Sequence, residues 1–436
     1  MQVKDKSKRK VALITFDKIG TKMAGPGIRY FELAKELSKH FGITLFSPYQ
    51  SDIKNDNFKI ELMSTGKPGL GLSAKIKNFD VVLAQNLPPY LLSKIHRYGI
   101  KYIADLYDPV LIEVLEYTKD DKPALRQNTY DFNFYTVALQ LLCANHLLCA
   151  SQRQFDYYGG VLSGQKILGP DFYNQSVNLE KFITVAPFGL RAEAPKAFRP
   201  EEIYQKFPGI KKGDKIVYWG GGVWNWFDPI TAIKAIEILA KKRNDIKLFF
   251  LGVKHPNPKV KAMSAVTKAH DYAKEKNLLD KFVFFNFDWV PYEERTNYLL
   301  ESSVGISAHF DNAETRFSFR TRILDYLWAD LPMVLTRGDA FANLCSEKNL
   351  GITVDYKNEK ETAAAIEKLV DNKQLRAEAI KNITEVKREF TWPKIATRIA
   401  NIIDNELFIE RKMSTLRFLR RSFDFYLSGL KKKLSK

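Results

Sequence analysis

The chain has 436 residues, of which 45% are hydrophobic and 27% are charged, a composition typical of a folded globular protein rather than a disordered one. Its length predicts two or three domains rather than a single core. The formal net charge of +18 favours an anionic partner, and charge alone leaves open whether that partner is a nucleotide, a nucleic acid or an acidic membrane surface.

The cysteines and the apolar runs indicate the compartment. Cys143, Cys149 and Cys345 have neither the spacing of a zinc site nor that of a disulfide framework, so we expect buried thiols in a reducing compartment. The apolar run at residues 11–16 is too short for a signal peptide, and no segment approaches the ~20 apolar residues of a membrane span. We therefore predict a cytoplasmic protein.

Strands and helices alternate in the first half of the chain. An apolar strand is predicted at Val11–Phe16, followed by a loop that contains Gly25 and Gly27 and by a helix over Ile28–His40. The alternation predicts a parallel, doubly wound sheet. Further strands are predicted at Ile43–Phe46, Val81–Ala84, Tyr102–Ala104, Leu147–Ala150 and Ile183–Ala186.

A proline-containing stretch at residues 187–213 predicts a linker, after which the alternation starts again. A strand at Ile216–Trp219 leads into a glycine turn and a helix from about Asp228 to Lys242. The sequence therefore predicts two Rossmann-like, doubly wound domains that face a cleft. The remaining predicted strands are Lys247–Leu251, Phe282–Phe287, Val304–Ala308, Leu331–Leu335 and Ile352–Val354, with helices near 260–276 and 292–302.

The loop after the strand at Val304–Ala308 is dense in charged and polar side chains. It lies at the carboxyl end of a strand, which is where ligands bind in an open α/β sheet. We therefore predict a ligand site here. The side chains are His309, Asp311, Glu314, Arg316, Arg320 and Arg322.

The segment 409–436 differs from the rest of the chain. Nine Lys or Arg residues alternate there with leucines and aromatic residues. The pattern is typical of an amphipathic helix on an anionic membrane surface, and it also fits a solvated or domain-docked helix.

Three segments together resemble GT-B glycosyltransferases of family 4: GPGIRYFELAKEL, VYWGGGVWNWFDP and HFDNAETRFSFRTRILDYLWADLP. The resemblance extends from Val11 to Glu406, and EFTWPKIATRIA is similar to the family's C-terminal helix, which crosses back to the first domain. It implies an acceptor domain at 1–190, a nucleotide-sugar donor domain at 191–390, a crossing helix at 391–408 and a basic amphipathic tail at 409–436.

The resemblance also implies an activity. Such enzymes move a sugar from a nucleotide-sugar donor with retention of configuration, without a metal or another cofactor. We expect a polysaccharide, glycolipid or lipid-linked acceptor in cell-envelope glycan synthesis, a peripheral position on the cytoplasmic membrane face and no nucleic-acid partner.

The donor residues follow from the family's pair of acidic residues. Asp325 takes the second place in that pair, whereas the position eight residues earlier is Phe317, which makes Glu314 the candidate catalytic acid. The loop after Trp219 lacks the basic residue that many members have, so we expect the arginines after Glu314 to hold the diphosphate. The implied donor-binding residues are Gly221, Gly222, His309, Arg316, Arg320, Thr321, Arg322 and Asp325.

In the first domain, the segment ADLYDP stands where many members have a His-Asp pair. Asp108 is the candidate catalytic residue there, and Asp105, Gly25 and Gly27 are candidates on the acceptor side. A purely structural interpretation stays open, since the glycines make turns possible and the aspartates favour turns before Pro109.

Other functions and other pairings are also open. Glu314 could pair with Arg316, and Asp325 with Arg322 three residues earlier. A sugar-nucleotide epimerase has the same fold, the charge of +18 suits a nucleic-acid-binding protein, and the missing acid at Phe317 suits a non-catalytic scaffold.

Overall fold

The computed structural model describes residues 8–63, 70–253, 263–288, 290–291, 293–410 and 413–435. The chain divides into two compact units: unit 1 comprises residues up to Phe188 and from Trp392 onward, and unit 2 comprises Gly189–Thr391. The first residues of the helix predicted near 260–276, the two basic residues at 411–412 and the last lysine lie outside the described residues.

Unit 1 is built on a parallel sheet of seven described strands in the order β3-β2-β1-β4-β5-β6-β7. Strands β1 and β4 are apolar and buried because helices cover both faces of the sheet, as in other parallel sheets. The strands are β1 (Lys10–Ile14), β2 (Gly42–Ser47), β3 (Lys59–Leu62), β4 (Val81–Ala84), β5 (Lys101–Asp105), β6 (His146–Cys149) and β7 (Ile183–Val185).

The helices of unit 1 connect these strands, and two further helices follow after the chain returns from unit 2. The helices are α1 (Gly25–Leu37), α2 (Leu70–Lys75), α3 (Pro89–Arg97), α4 (Val110–Tyr117), α5 (Pro123–Cys143), α6 (Gln152–Gly164), α7 (Pro170–Gln175), α17 (Trp392–Asp404) and α18 (Thr415–Leu434).

Unit 2 repeats the plan with six described strands in the order β10-β9-β8-β11-β12-β13, all parallel. Residues 201–206, inside the stretch predicted as a linker, belong to this unit. The strands are β8 (Lys215–Trp219), β9 (Ile246–Phe250), β10 (Val283–Phe285), β11 (Val304–Ser307), β12 (Met333–Thr336) and β13 (Gly351–Val354).

The helices of unit 2 cover both faces of its sheet. They are α8 (Glu202–Lys206), α9 (Pro229–Ala240), α10 (Ser264–Glu275), α11 (Thr296–Leu299), α12 (Ala313–Phe317), α13 (Arg322–Trp328), α14 (Ala340–Lys348), α15 (Glu359–Asp371) and α16 (Lys373–Val386). The prediction of two Rossmann-like, doubly wound domains is confirmed.

Helices α17 and α18 both pack on unit 1. Helix α17 lies against α1 and buries Trp392, Ile395 and Ile399. Helix α18 lies along α5. Within the described part of the chain, no helix is both long enough and apolar enough to cross a bilayer.

Candidate functional site

The candidate site lies at the point in unit 2 where the strand order reverses, between β8 and β11. Connections from these two strands run to opposite faces of the sheet, so the backbone opens at their carboxyl ends and leaves room for a ligand. The Tyr326 hydroxyl from α13 lies between the ends of these two strands. It donates a hydrogen bond to the carbonyl oxygen of Ile306 at 2.8 Å and accepts one from the Gly220 N–H at 3.1 Å.

The glycine turn after β8 has a local backbone reason. Gly221 has φ of +72°, in the left-handed region where a side chain is disfavoured. A Cβ on Gly222 would lie 3.2 Å from the Trp224 ring nitrogen. The turn therefore exposes backbone groups between the ends of β8 and β11. The Gly222 carbonyl accepts a hydrogen bond from Arg322 Nη2 at 2.6 Å.

Arg322, the first residue of α13, is a buried cation to which no carboxylate of the described residues is bonded. Its guanidinium carbon lies 3.8 Å from the centre of the Phe227 ring and 5.1 Å from that of Trp219. Nη1 is buried and has no hydrogen-bond partner among the described residues. Burial lowers the pKa of Arg322 to about 10, because the charged guanidinium has lost contact with water. An anion bound beside it would offset this cost of burying the charge.

Glu314 and Arg320 form a two-pronged ion pair beside Arg322. Arg320 Nη1 and Nη2 donate to the two carboxylate oxygens of Glu314 at 2.7 and 2.6 Å, and Nη2 also lies 3.2 Å from the Thr315 hydroxyl. The Glu314 side chain is fully buried. Because Glu314 belongs to α12 and Arg320 lies two residues before α13, the pair fixes the loop between these helices. Arg316, also in α12, is exposed.

Asp325 pairs with Arg295, a residue from a different element. Arg295 Nη2 lies 2.9 Å from the Asp325 carboxylate, whose side chain is 22% exposed. Burial raises the pKa of Asp325, and the charges of Arg295 and Arg322 oppose that rise. The carboxylate thus lies at the surface of the site, held by a cation that the sequence pattern did not identify.

His309 is buried and neutral. Its Nε2 lies 3.1 Å from the carbonyl oxygen of Arg337, which makes Nε2 the protonated nitrogen. Nδ1 has no hydrogen-bond partner among the described residues. Burial, together with the nearby Arg320 charge, lowers the pKa of His309 to about 3, so Nδ1 is an acceptor and the ring adds no charge.

Thr321 is exposed at the N-cap of α13, and its side chain makes no capping hydrogen bond. All the residues that the sequence predicted for the donor belong to unit 2, and a hydrogen bond joins two of them, Gly222 and Arg322. The residues that sequence reasoning missed are Tyr218, Trp219, Arg295 and Tyr326. Of these, Tyr326 had a signal, because Gly305 leaves space for its ring: a Cβ there would lie 2.6 Å from it.

The candidates in unit 1 lie around a second buried ion pair. Arg29 of α1 donates from Nε and Nη2 to the two oxygens of Asp105, each at 2.8 Å, and both side chains are fully buried. The same guanidinium donates to the carbonyl oxygens of Pro187 and Ala186 at 2.7 and 2.9 Å. Every Asp105 oxygen is thus occupied by the protein.

The remaining candidate residues of unit 1 are Asp108, Gly25 and Gly27. Asp108 is partly exposed, and its carbonyl oxygen accepts a hydrogen bond from the Tyr158 hydroxyl at 3.0 Å. A Cβ on Gly27 would lie 2.7 Å from the Lys18 carbonyl oxygen, so Gly27 lets the preceding loop approach α1. Gly25 begins α1, and a Cβ there would have open space.

Most of unit 2 is similar to a known protein family. Residues 201–386 match the family model of glycosyl transferases group 1. No curated protein sequence matches the chain.

Solved structures share the fold at low sequence identity. A glycosyltransferase from Rickettsia africae has 14% identity and a TM-score of 0.63, with 92% of this chain and 98% of that chain covered. HepE from Anabaena, in complex with UDP and glucose, has 12% identity and a TM-score of 0.64 over 91% and 99% of the two chains. WaaG, a glycosyltransferase involved in lipopolysaccharide biosynthesis, has 14% identity and a TM-score of 0.60 over 90% and 99%.

The chain has the GT-B fold of two Rossmann-like domains. The match over residues 201–386 is to the group 1 glycosyltransferase model, and the prediction that the chain is an enzyme of the glycosyltransferase class is confirmed. Among the residues that the structure describes, no group of His, Cys, Asp or Glu has the arrangement of a metal site; independence from metals and other cofactors stays a prediction.

Proposed function

We propose that the protein is a retaining glycosyltransferase of family 4 that binds the diphosphate of a nucleotide-sugar donor at Arg322. The observation that supports this most directly is the buried Nη1 of that residue, for which the described part of the chain offers no hydrogen-bond partner. A diphosphate leaving group gains negative charge in the transition state, and a fixed cation aimed at it stabilises that charge. HepE, which has the same fold, is seen with UDP-glucose.

Other residues of unit 2 have roles around the diphosphate in this proposal. The backbone of Gly221 and Gly222 lets the phosphates approach the end of β8, and Asp325 accepts from a ribose hydroxyl. His309 Nδ1, being neutral and unpartnered among the described residues, accepts from a sugar hydroxyl. Arg316 and Thr321 are exposed and contact the donor from the rim.

Glu314 and Arg320 act together. Because both Glu314 carboxylate oxygens accept from Arg320, we propose that Glu314 holds the loop that positions Arg322. For Glu314 to contact the donor sugar, one of its two hydrogen bonds from Arg320 has to be replaced by a hydrogen bond from a sugar hydroxyl. In unit 1, Asp108, Gly25 and Gly27 contribute to acceptor binding, while Asp105 keeps α1 on β5 through Arg29.

The acceptor in this proposal is a polysaccharide, a glycolipid or a lipid-linked glycan of the cell envelope, at the cytoplasmic face of the membrane. Its support is the sequence resemblance together with the likeness in fold to WaaG, a protein of lipopolysaccharide biosynthesis. The basic helix α18 supports the membrane location.

A donor panel tests the proposal. The full chain is incubated with nucleoside diphosphate sugars, with and without a lipid-linked acceptor, and released nucleotide is measured while NMR follows the anomeric configuration of the product. We expect release from one donor, faster with acceptor, and a product with the donor's configuration. No release or transfer with any donor would contradict the proposal, an inverted product would contradict retention, and a new sugar epimer formed without acceptor would indicate an epimerase.

A further inference from the structure

Helix α18 has two faces, and only one of them packs on unit 1. The packed face contacts α5: the Phe425 ring centre lies 5.2 Å from that of Phe132, and the Arg421 guanidinium carbon lies 5.6 Å from the Phe134 ring centre. A Cβ on Gly429 would lie 3.3 Å from the Phe132 ring, so the glycine permits close approach. The aromatic segment of α5 therefore serves to dock this helix.

The opposite face of α18 is an exposed apolar stripe. Its members recur every three or four residues, which places them along one side of a helix. Their side chains are 55–78% exposed, whereas an amphipathic helix that served only to cover α5 would have polar residues there. The members of the stripe are Leu416, Leu419, Phe423, Tyr426, Leu430 and Leu434.

Basic residues flank the stripe. Arg420, Lys431 and Lys433 are exposed, and the helix as a whole has six Lys or Arg residues against one acid, Asp424. A second copy of this chain would bring the same charge to the stripe and be repelled. An anionic lipid surface offers opposite charge to the rim and an apolar layer to the stripe.

We propose that α18 docks unit 1 onto anionic membranes, with the stripe inserted at the level of the acyl chains and the basic residues at the lipid headgroups. This inference specifies the membrane location in the proposed function, and it does not depend on the donor chemistry. The long Arg and Lys stems can lie along the apolar layer while their charges reach the headgroups. The helix is already folded on α5, so binding needs no folding step.

Vesicle co-sedimentation of the full chain, without nucleotide-sugar, tests the proposal. We expect binding to vesicles of phosphatidylcholine mixed with phosphatidylglycerol to exceed binding to phosphatidylcholine alone by about a hundredfold, since each basic residue near an anionic surface contributes about fivefold. Binding should weaken as salt rises from about 0.1 M to about 1 M, where the screening length falls from about 10 Å to about 3 Å. Equal binding to both vesicle types, or none, would overturn the proposal.

Two variants test which residues are responsible. Leu419→Ser/Phe423→Ser/Leu430→Ser removes apolar area and should lower the partition coefficient by about a hundredfold or more. Its matched control is Tyr98→Ser/Val177→Ser/Phe198→Ser, which changes exposed apolar residues elsewhere and should bind like the unmodified chain. Equal loss in both triple variants would overturn the assignment to α18.

The charges are tested separately. Arg420→Gln/Lys431→Gln/Lys433→Gln should lower binding to anionic vesicles by about a hundredfold. The control Lys241→Gln/Lys348→Gln/Lys360→Gln, at exposed positions of unit 2, should lower it far less.

Sedimentation velocity, run in parallel, tests for self-association. A self-associated chain that the serine triple variant converts to monomer would show that a second copy covers the stripe, and would overturn the membrane proposal. Because donor hydrolysis is not needed for any of these readouts, failure here is distinct from failure of the proposed function.

Discussion

The two units each bury an arginine near the carboxyl ends of their strands, and the two arginines differ in their partners. Arg29 in unit 1 has a carboxylate and two backbone carbonyls around its guanidinium. Burial lowers its pKa, but the charge and hydrogen bonds of Asp105 outweigh burial and raise the pKa overall. Arg322 in unit 2 has one backbone carbonyl and two aromatic rings, and burial lowers its pKa to about 10.

On this difference we assign a structural role to Arg29 and propose a ligand-binding role for Arg322. Arg29 is satisfied by the protein, so it stabilises unit 1 and has no capacity for a ligand. Arg322 has a donor that no described residue uses, and a protein retains such a group at a cost in stability. Arg320, two residues away, differs from Arg322 in having a carboxylate partner: Glu314 accepts from both of its Nη atoms, and its Nε has no hydrogen-bond partner among the described residues.

The largest expected effect is on the satisfied pair of unit 1. Asp105→Asn should lower the free energy of unfolding by about 3–5 kcal/mol, because it leaves the Arg29 charge buried and unpaired. Chemical denaturation followed by circular dichroism measures the change. The control is Asp355→Asn, which removes an exposed partner of Arg337 and should cost less than about 1 kcal/mol. An equally small effect at Asp105 would show that the pair is not structural.

A smaller expected effect separates the two arginines of unit 2. Arg320→Met should lower the free energy of unfolding by about 3 kcal/mol, since the buried Glu314 carboxylate would lose the two charge-assisted hydrogen bonds from Arg320. Arg322→Met keeps much of the packing on Phe227 and removes an unpaired charge, so its change should lie within about 1 kcal/mol. The same denaturation measurement compares them. A larger loss for Arg322→Met would mean that Arg322, too, is a structural cation.

The smallest expected effect is on the pH dependence of stability. Among the described residues, each unit buries one neutral histidine. Burial lowers the pKa of His146 in unit 1 to about 4 and of His309 in unit 2 to about 3. The unfolded chain binds protons near the ordinary pKa of about 6.5, so this stability is present above that pH and is lost as pH falls toward 4 and 3.

Substitution of the buried histidines checks that sign. His146→Gln and His309→Gln should each flatten the loss of thermal stability between about pH 6.5 and 4, measured as the melting temperature against pH. The exposed His96, changed to Gln, is the control and should leave the slope as it is. A slope that does not change in either buried variant would contradict the assignment.

Much of the fold could be predicted because most strands are buried on both faces and are therefore continuously apolar. The predicted strand at Val81–Ala84 has the observed bounds of β4, and the strand at Ile216–Trp219 differs from β8 by one residue. Strand β3 was not predicted, because Lys59–Leu62 is a half-exposed edge whose sequence KIEL alternates charged and apolar residues. Helix α12 was not predicted because its five residues are too few for a periodic pattern.

The residues of the candidate site could be proposed from the sequence, but the ion pairs among them could not. The charged loop after β11 was evident from its position at a strand end. The partners were not, because Arg320 pairs with Glu314 across a turn between two short helices, and Arg295 reaches Asp325 from an element thirty residues earlier in the chain. Likewise, Arg29 and Asp105 meet only when α1 packs on β5. Such contacts depend on tertiary packing, which sequence spacing does not specify.

The most direct test of the account is calorimetric titration of the full chain with UDP-glucose and related nucleoside diphosphate sugars, repeated with Arg322→Met and with Arg388→Met at an exposed position of unit 2. One donor should bind the unmodified chain, and its dissociation constant should rise by about 10- to 100-fold in Arg322→Met, as expected for the loss of a hydrogen bond to a charged group. Arg388→Met should leave it unchanged. Equal affinity in the unmodified chain and in Arg322→Met, or no binding of any donor, would contradict the claim that Arg322 holds the donor diphosphate.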